Sequence, residues 1–220
     1  METKDIFIVG AGGQAKNISL LIEQIGGWKI IGFIDDNPEK KGEIIRGYSV
    51  LGTLDKVFSN SSNYEGRAVV LAIGDPIVVE KKVEILKSMN RGFYFPNLIH
   101  PSVEISKKDV EMGEGNVINA GVVFTTNIKM GDFNYFNRCS SVSHDIILGN
   151  YCFIHAGVHL SGDLTIGSKI WFGVNCTIID DLKIGNNVTI GAGAVILKDV
   201  EENAIMVGNP AKLLRYKESK

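Results

Sequence analysis

The chain has 220 residues, 45% of them hydrophobic, and a formal net charge of −2 with acidic and basic residues interspersed. This composition supplies enough apolar material for one large or two small domains and argues against a nucleic-acid-binding protein, which usually has a basic face. The first ten residues do not resemble a signal peptide, and no apolar run approaches the roughly 18 residues of a membrane span. Three cysteines without C-x-x-C spacing predict reduced thiols in a cytoplasmic protein.

The first 95 residues alternate between short apolar runs and amphipathic segments, which is typical of strands and helices around a parallel sheet. This pattern predicts a small α/β domain of Rossmann-like type, about half the size of a full dinucleotide-binding fold. The predicted strands are residues 6–10, 29–35 and 68–74, and the predicted helices are residues 14–25 and 78–89.

A glycine-rich turn joins the first predicted strand to the first predicted helix, where GAGGQA at 10–15 fits the pattern G-x-G-x-x-A. Asp35 and Asp36 end the second strand, roughly where a ribose-binding acid lies in dinucleotide-binding domains. Taken alone, this arrangement suggests NAD, although the domain is small for that cofactor. The alternative is a turn that only packs a strand against a helix.

From residue 113 the sequence follows a period of six and divides into fourteen consecutive hexads that end at residue 196. The sixth position of every hexad is apolar, and the fourth position is also expected to face inward, as at Cys152 and Cys176. Neither a helix, with a period near 3.6, nor a flat strand, with a period of about 2, explains this repeat. The period predicts a β-solenoid in which three hexads complete one triangular coil.

His144 and Asp145 occupy the second and third positions of the hexad SHDIIL, so neither side chain is expected to face the core. An exposed histidine is usually only solvated. Here, however, the adjacent carboxylate could hold one ring nitrogen and leave the other as a base. The pair is therefore a candidate catalytic site on the outer surface of a coil.

The hexad array, followed by GNPAK at 208–212, resembles the left-handed β-helix acyltransferases that use acetyl-CoA. With IFIVGAGGQA, FIDDNP, AIGD and NLIHPS, nearly the whole chain is similar to one branch of them. That branch is the family of sialic-acid O-acetyltransferases and bacterial nucleotide-amino-sugar N-acetyltransferases. The resemblance implies an α/β half-Rossmann-like domain followed by an all-β left-handed parallel β-helix. The expected parts are a nucleotide-sugar-binding domain at 1–95, an acyltransferase domain at 96–205 and a CoA-contacting tail at 206–220.

The same resemblance implies roles for individual residues. His144 is expected to be the general base, oriented by Asp145, and the Gly162 N–H is expected to stabilise the oxyanion of acyl transfer. Asn137 is expected beside the acceptor sugar, and the glycine-rich turn at the diphosphate of a sugar nucleotide. The other implied contacts are Gly12, Gly13, Gln14, Asp35, Asp36 and Gly74 with the sugar nucleotide, and Phe153, Val174, Ala192 and Lys212 with acetyl-CoA.

Two positions depart from the family pattern. Relatives often carry a second histidine that contacts the acetyl group, where this chain has Phe153; whether His155 replaces it stays open. Relatives also often have a histidine where this chain has Gln14, and this difference bears on which sugar or which nucleotide base is preferred in the substrate.

Two other chemistries compete for the same residues. His144, His155 and His159 lie on nearby coils, and His155 and His159 form a close pair. Residues 119, 123, 137 and 141, one or two coils before that pair, are Asn, Val, Asn and Ser, so no third ligand appears and no metal is expected. An acyl-enzyme formed on Cys139 with His144 as its base lacks a further activating group for the thiol.

The sequence thus predicts an acetyl-CoA-dependent N-acetyltransferase that acts on a 4-amino-dideoxy sugar linked to UDP, dTDP or GDP, for bacterial surface glycan synthesis. The resemblance implies a homotrimer with sites between neighbouring subunits, and neither nucleic acid nor a membrane is an expected partner. Two alternatives remain: O-acetylation of sialic acid or a related sugar acid, and a non-catalytic solenoid that binds sugar nucleotides. GNPAK argues against the second alternative.

Overall fold

Two separate hydrophobic cores organise the chain. The computed structural model describes residues 3–58 and 64–218 and divides at residue 98 into a unit of residues 1–98 and a unit of residues 99–220. Among the described residues, no helix is long and apolar enough to cross a membrane.

The first unit is built on a five-stranded sheet. Its strands are β1 (Lys4–Val9), β2 (Trp28–Ile34), β3 (Ile44–Ile45), β4 (Tyr48–Gly52) and β5 (Ala68–Leu71). Its helices are α1 (Gly13–Ile25), α2 (Leu54–Phe58) and α3 (Pro76–Ser88), with a 3-10 turn at Pro38–Lys40. The strand order is β3-β4-β2-β1-β5, and all pairs except β3–β4 are parallel. Ile6, Phe7 and Ile8 are fully buried, as expected for a central strand covered on both faces.

The structure contains the three predicted strands and both predicted helices, but it adds the β3–β4 hairpin and α2, which the sequence analysis missed. The hairpin turns at Arg46 and Gly47, which have φ angles of 49° and 87°. Such a two-residue turn is usually marked by Asn-Gly or Asp-Gly, so Arg-Gly gave little signal. β5 also ends earlier than predicted, because the chain leaves the sheet before Asp75, whose carboxylate caps α3 by accepting from the Ile77 and Val78 N–H groups.

The second unit is a parallel β-helix with three sheets, here named faces 1, 2 and 3. Face 1 contains β6 (Leu98–Ile99), β8 (Val117–Ile118), β11 (Tyr135–Phe136), β14 (Phe153–Ile154), β17 (Trp171–Phe172), β20 (Thr189–Ile190), β22 (Ala204–Val207) and β23 (Lys212–Tyr216). Face 2 contains β9 (Val123–Phe124), β12 (Ser141–Val142), β15 (His159–Leu160), β18 (Thr177–Ile178) and β21 (Val195–Ile196). Face 3 contains β7 (Val110–Met112), β10 (Ile128–Met130), β13 (Ile146–Leu148), β16 (Leu164–Ile166) and β19 (Leu182–Ile184).

The hexad register predicted from the sequence is confirmed by the buried side chains. The fourth and sixth positions of all fourteen hexads are buried, including Cys152 and Cys176 at 0% exposure. Strands on one face pair at a spacing of three hexads, as Ile128 pairs with Ile146 and Ile146 with Leu164. Burial raises the pKa of the Cys152 and Cys176 thiols to about 12, so both act as core residues rather than nucleophiles.

The third position of every hexad has a positive φ angle. Four of these residues are glycines, and the other ten have φ between 54° and 61°. Asn and Asp tolerate this left-handed conformation better than other non-glycine residues, which explains the column Asn127, Asp145, Asp163 and Asp181 at one corner. The turn geometry therefore accounts for an acid at position 145 before any chemistry is considered.

The repeat changes after the last hexad. Thr189 pairs with Ile205 and Ile184 bridges to Val200, and both pairings span slightly less than the three hexads of a full coil. β22 then forms an antiparallel hairpin with β23, which ends face 1. The segment that carries GNPAK thus lies in the turn of this hairpin, and its Ala211 N–H donates to the Val195 carbonyl of face 2.

Adjacent residues on β13 test the register. Leu148 points inward and is 3% exposed, whereas Ile147 points outward and is 57% exposed. We expect Leu148→Ala to lower the free energy of unfolding by about 2–5 kcal/mol through lost burial and a residual cavity. The control Ile147→Ala should change it by only about 0.5 kcal/mol, as at most surface sites. Denaturant melts of the full chain measure both; equal losses would contradict the assigned register.

Candidate active site

His144 and Asp145 lie at the corner between faces 2 and 3, in the turn that joins β12 to β13. Their side chains are 55% and 45% exposed, and the His144 Nδ1 lies 2.8 Å from Asp145 Oδ2. In the neutral ring this bond places the proton on Nδ1, because the carboxylate can only accept. The Nε2 lone pair, on the side of the ring that adjoins Gly162, is then available as a base.

The second carboxylate oxygen of Asp145 is also engaged. Asp145 Oδ1 accepts a hydrogen bond from the side-chain amide of Asn127, which lies one coil earlier. The hydrogen bond from Asn127, followed by that from His144, lowers the pKa of Asp145 below its ordinary value. Asp145 therefore stays ionised at neutral pH, where it can stabilise an imidazolium at His144.

Gly162 lies directly against the His144 ring, one coil further along the chain. A Cβ atom built on Gly162 would lie 2.5 Å from His144 Cε1 and 2.8 Å from Nε2, so any larger residue would displace the ring. Among the hydrogen bonds of the described residues, none uses the Gly162 N–H, whereas its carbonyl accepts from the Asp181 N–H. The structure thus brings together three of the predicted residues: the base, its acid and the glycine.

Asp163 belongs to the same cluster and was missed by the sequence analysis. Its carboxylate, that of Asp145 and a ring nitrogen of His144 all lie within 4.8 Å of one another, and all three residues are exposed. The His144 Nδ1 in this cluster is already bonded to Asp145. The sequence does contain a signal for Asp163, because it follows Asp145 by three hexads, which is one full coil.

Other predicted residues lie at the opposite edge of face 2. Val174 and Ala192 are exposed and lie one coil apart at the corner between faces 1 and 2. Asn137 is half-buried at the same corner, where its Oδ1 accepts from the Arg138 N–H at 2.8 Å. Within one chain, the residues expected at the acceptor and at the pantetheine arm are therefore separated from His144 by the width of face 2.

Phe153 is buried on face 1, where its ring stacks between Tyr135 and Trp171 with centroid distances of 5.7 and 6.0 Å. His155 lies 4.3 Å from Trp171, and its Nε2 is buried without a hydrogen-bond partner among the described residues. Burial lowers the pKa of His155, so its ring is neutral at neutral pH. Lys212 is exposed on β23. A contact of any of these residues with acetyl-CoA remains a prediction.

The glycine-rich turn of the first unit is held by Asp35. Its Oδ2 accepts from the Ala11 N–H at 2.8 Å and pairs with Lys40 at 3.0 Å, while Oδ1 accepts from the Asn37 N–H. Burial alone would raise the pKa of Asp35, but these hydrogen bonds outweigh it and lower the pKa. Asp35 is thus an internal support of the turn, whatever further contact it makes.

The helix that follows this turn begins without a side-chain cap. Gly12 is the N-cap of α1, and a Cβ built on Gly12 or Gly13 would meet nothing within 4 Å, so the space beside the turn is open. Gln14 Oε1 would lie 3.3 Å from a Cβ on Gly74, so these two positions adjoin, whereas Asp36 pairs with Lys82. Uncapped N–H groups at a helix N-terminus suit an anion such as a phosphate.

Comparisons with known proteins agree with this fold. Residues 5–86 match the PglD N-terminal domain, and residues 163–198 match the bacterial transferase hexapeptide (six repeats). A search of curated proteins found no match.

Among solved structures, the acetyltransferase domain of PglB from Neisseria gonorrhoeae FA1090 is 29% identical, with a TM-score of 0.85, covering 96% of this chain and 100% of that one. PerB from Caulobacter crescentus, in complex with CoA and GDP-perosamine, is 28% identical with a TM-score of 0.84, covering 95% and 96%. WeeI from Acinetobacter baumannii AYE is 27% identical with a TM-score of 0.75, covering 96% and 100%.

The fold and these matches define the class of enzyme. The chain is an acetyltransferase whose first unit is similar to the PglD N-terminal domain and whose second unit is similar to the bacterial hexapeptide transferases.

Proposed function

We propose that the protein transfers the acetyl group of acetyl-CoA to the amine of a nucleotide-linked 4-amino-dideoxy sugar, for the synthesis of bacterial surface glycans. The observation that carries this proposal is the His144–Asp145 pair held against Gly162. The free thiols and the use of acetyl-CoA support a cytoplasmic location for the reaction.

The solved relatives support both substrates. PerB was crystallised with CoA and GDP-perosamine, and the Neisseria acetyltransferase domain with acetyl coenzyme A. A histidine-to-alanine mutant of GDP-perosamine N-acetyl transferase from Caulobacter crescentus also forms a complex with CoA and GDP-perosamine. Loss of a histidine in that enzyme is therefore compatible with binding of both ligands.

The corner site provides the groups that acetyl transfer needs. The neutral amine attacks the thioester carbonyl carbon, and His144 Nε2 accepts the proton that the nitrogen loses. Asp145 stabilises the resulting imidazolium through Nδ1. The Gly162 N–H is the proposed donor to the carbonyl oxygen as negative charge develops there. The C–S bond then breaks, and the imidazolium returns the proton to the leaving thiolate.

An amine fits this site better than a hydroxyl. A neutral amine is the stronger nucleophile and needs only one modest base, a role that a neutral imidazole can fill. The first unit adds a second argument, because the open, uncapped N-terminus of α1 suits a diphosphate. A nucleotide-diphosphate sugar supplies that group, whereas free sialic acid does not. Gly12, Gly13, Gln14, Asp35, Asp36 and Gly74 are the proposed contacts.

Parallel assays with acetyl-CoA and two kinds of acceptor test the proposal. We expect CoA release with a UDP-, dTDP- or GDP-linked 4-amino-4,6-dideoxy sugar and none with free or CMP-linked sialic acid. Product mass spectrometry should show one added acetyl group on nitrogen. Release only with sialic acid would instead establish the O-acetyltransferase alternative, and the absence of CoA binding would favour a non-catalytic solenoid.

The role of His144 is tested by His144→Ala. We expect kcat to fall by roughly 10²–10⁴, the usual contribution of a general base, with nearly unchanged binding of both substrates. Asp145→Ala should cost less, because Asp145 only orients and stabilises the ring. His100→Ala is a matched control, since His100 is a histidine of the same unit bonded to Ser102. An undiminished kcat in His144→Ala would exclude the proposed base.

We also propose a homotrimer in which face 2 packs against a neighbouring copy. The outward, fifth hexad positions of face 3 include Glu111, Lys129 and Lys183, whereas those of face 2 carry no acidic residue, lysine or arginine. The face 2 positions are Val123, Ser141, His159, Thr177 and Val195. The proposed base lies at one edge of face 2, and the proposed pantetheine contacts lie at the other edge. Packing of face 2 against a neighbouring copy would therefore bring the base of one chain near the pantetheine contacts of the other.

Light scattering of matched variants tests this assembly. We expect the wild-type chain to have three times its mass of 24.0 kDa. Thr177→Glu, which places a charge on face 2, should dissociate the trimer and reduce activity. Thr165→Glu makes the same change on face 3 and should leave both unchanged. A monomeric wild-type protein with full activity would refute the proposed interface.

A further inference from the structure

Asn127 and Asp145 occupy the same place on two consecutive coils. Both are third-position residues of a hexad, with φ angles of 54° and 57°. The Asp145 N–H donates to the Thr126 carbonyl at 3.1 Å, and the Ile146 N–H donates to the Asn127 carbonyl at 3.2 Å. These backbone bonds fix the two turns against each other, so the Asn127 side chain has a defined position beside the Asp145 carboxylate.

The two oxygens of Asp145 are divided between two donors. The Asn127 Nδ2–H group donates to Oδ1, and the His144 ring donates to Oδ2. Rotation of the carboxylate would break one of these bonds unless the other partner moved with it. Since Asp145 is 45% exposed, little else in its surroundings restrains that rotation.

We propose that Asn127 is a positioning residue for acetyl transfer: its amide orients the Asp145 carboxylate, which keeps His144 protonated on Nδ1 and leaves Nε2 free to accept a proton. This inference rests on the proposed function of His144. Asn127 itself acts only through Asp145 and touches no reacting atom.

Asp163 is the other charged group beside the His144 ring, and its carboxylate lies within 4.8 Å of the ring nitrogen and of Asp145. It attracts an imidazolium without a hydrogen bond to Nδ1 among the contacts of the described residues. If Asp163 held the ring instead, loss of the Asn127 amide would leave the protonated nitrogen unchanged. The tautomer of His144 therefore separates the two explanations.

A purely structural role for Asn127 makes a different prediction. The turn needs only a residue that tolerates a positive φ, and glycine meets that need without an amide. Asn127→Gly therefore removes the hydrogen bond to Asp145 while it preserves the turn. Asn187 provides a control at another corner, where its amide donates to Asn203 Oδ1 at 2.8 Å between two positive-φ residues. Asn187→Gly removes this bond, together with the one that Lys217 Nζ donates to Asn187 Oδ1, at a corner away from His144.

The first readout is the side-chain ¹⁵N NMR spectrum of the full-length protein with labelled histidine. The chain has four histidines, and the spectrum of His144→Ala identifies the signals of His144. We expect neutral His144 to be the Nδ1–H tautomer in the wild type and in Asn187→Gly, and to shift toward Nε2–H in Asn127→Gly. An Nε2–H tautomer in the wild type, or an unchanged tautomer in Asn127→Gly, would overturn the inference.

The second readout is the kinetic profile with the accepted amino sugar. We expect Asn127→Gly to lower kcat roughly tenfold, the effect of one hydrogen bond to a charged group, with little change in KM. Thermal melts should show Asn127→Gly and Asn187→Gly to be equally folded. An unaltered kcat in Asn127→Gly would count against the inference. Because the tautomer is measured without acetyl transfer, failure of the proposed activity leaves the NMR result as a separate test.

Discussion

The register of the hexads is the constraint on which the rest of the second unit depends. Burial of the fourth and sixth positions in every hexad fixes which side chains enter the core. A positive φ at every third position then turns the chain at each corner. With both rules repeated, residues one coil apart lie against each other, and the chemistry of any one coil is determined partly by the coils before and after it.

The proposed active corner uses positions that the core leaves unconstrained. His144 is at a second position and is exposed, so its ring is free to meet a substrate. The coil that follows must then supply a residue without a side chain, which is Gly162. Asp145 combines two requirements, because an aspartate tolerates the left-handed turn and also accepts from His144. The proposed catalytic pair thus lies in a turn that the fold already needs.

The sequence predicted most of this architecture because a period of six is read directly from apolar residues, and His144 with Asp145 are adjacent in the chain. Asn127 and Asp163 were missed because they lie one coil before and one coil after Asp145. This proximity becomes visible only when the coil length of three hexads is applied to polar residues. Asn137 and His144 are close in sequence, but the chain between them crosses the width of face 2, so their distance in space follows from the coil and not from their sequence separation. The β3–β4 hairpin lay outside prediction because Arg46 gives no turn signal.

The charge at the active corner bears on the choice between the two acceptors. Asp145 and Asp163 place two carboxylates within 4.8 Å of the His144 ring nitrogen, and the Asp145 hydrogen bonds keep that group ionised. A sugar amine is largely an ammonium near neutral pH, so it is attracted to these groups before it loses its proton. The carboxylate of a sialic acid would be repelled by the same charges. The electrostatics of the corner therefore favour a cationic amino sugar over a sialic acid as the acceptor.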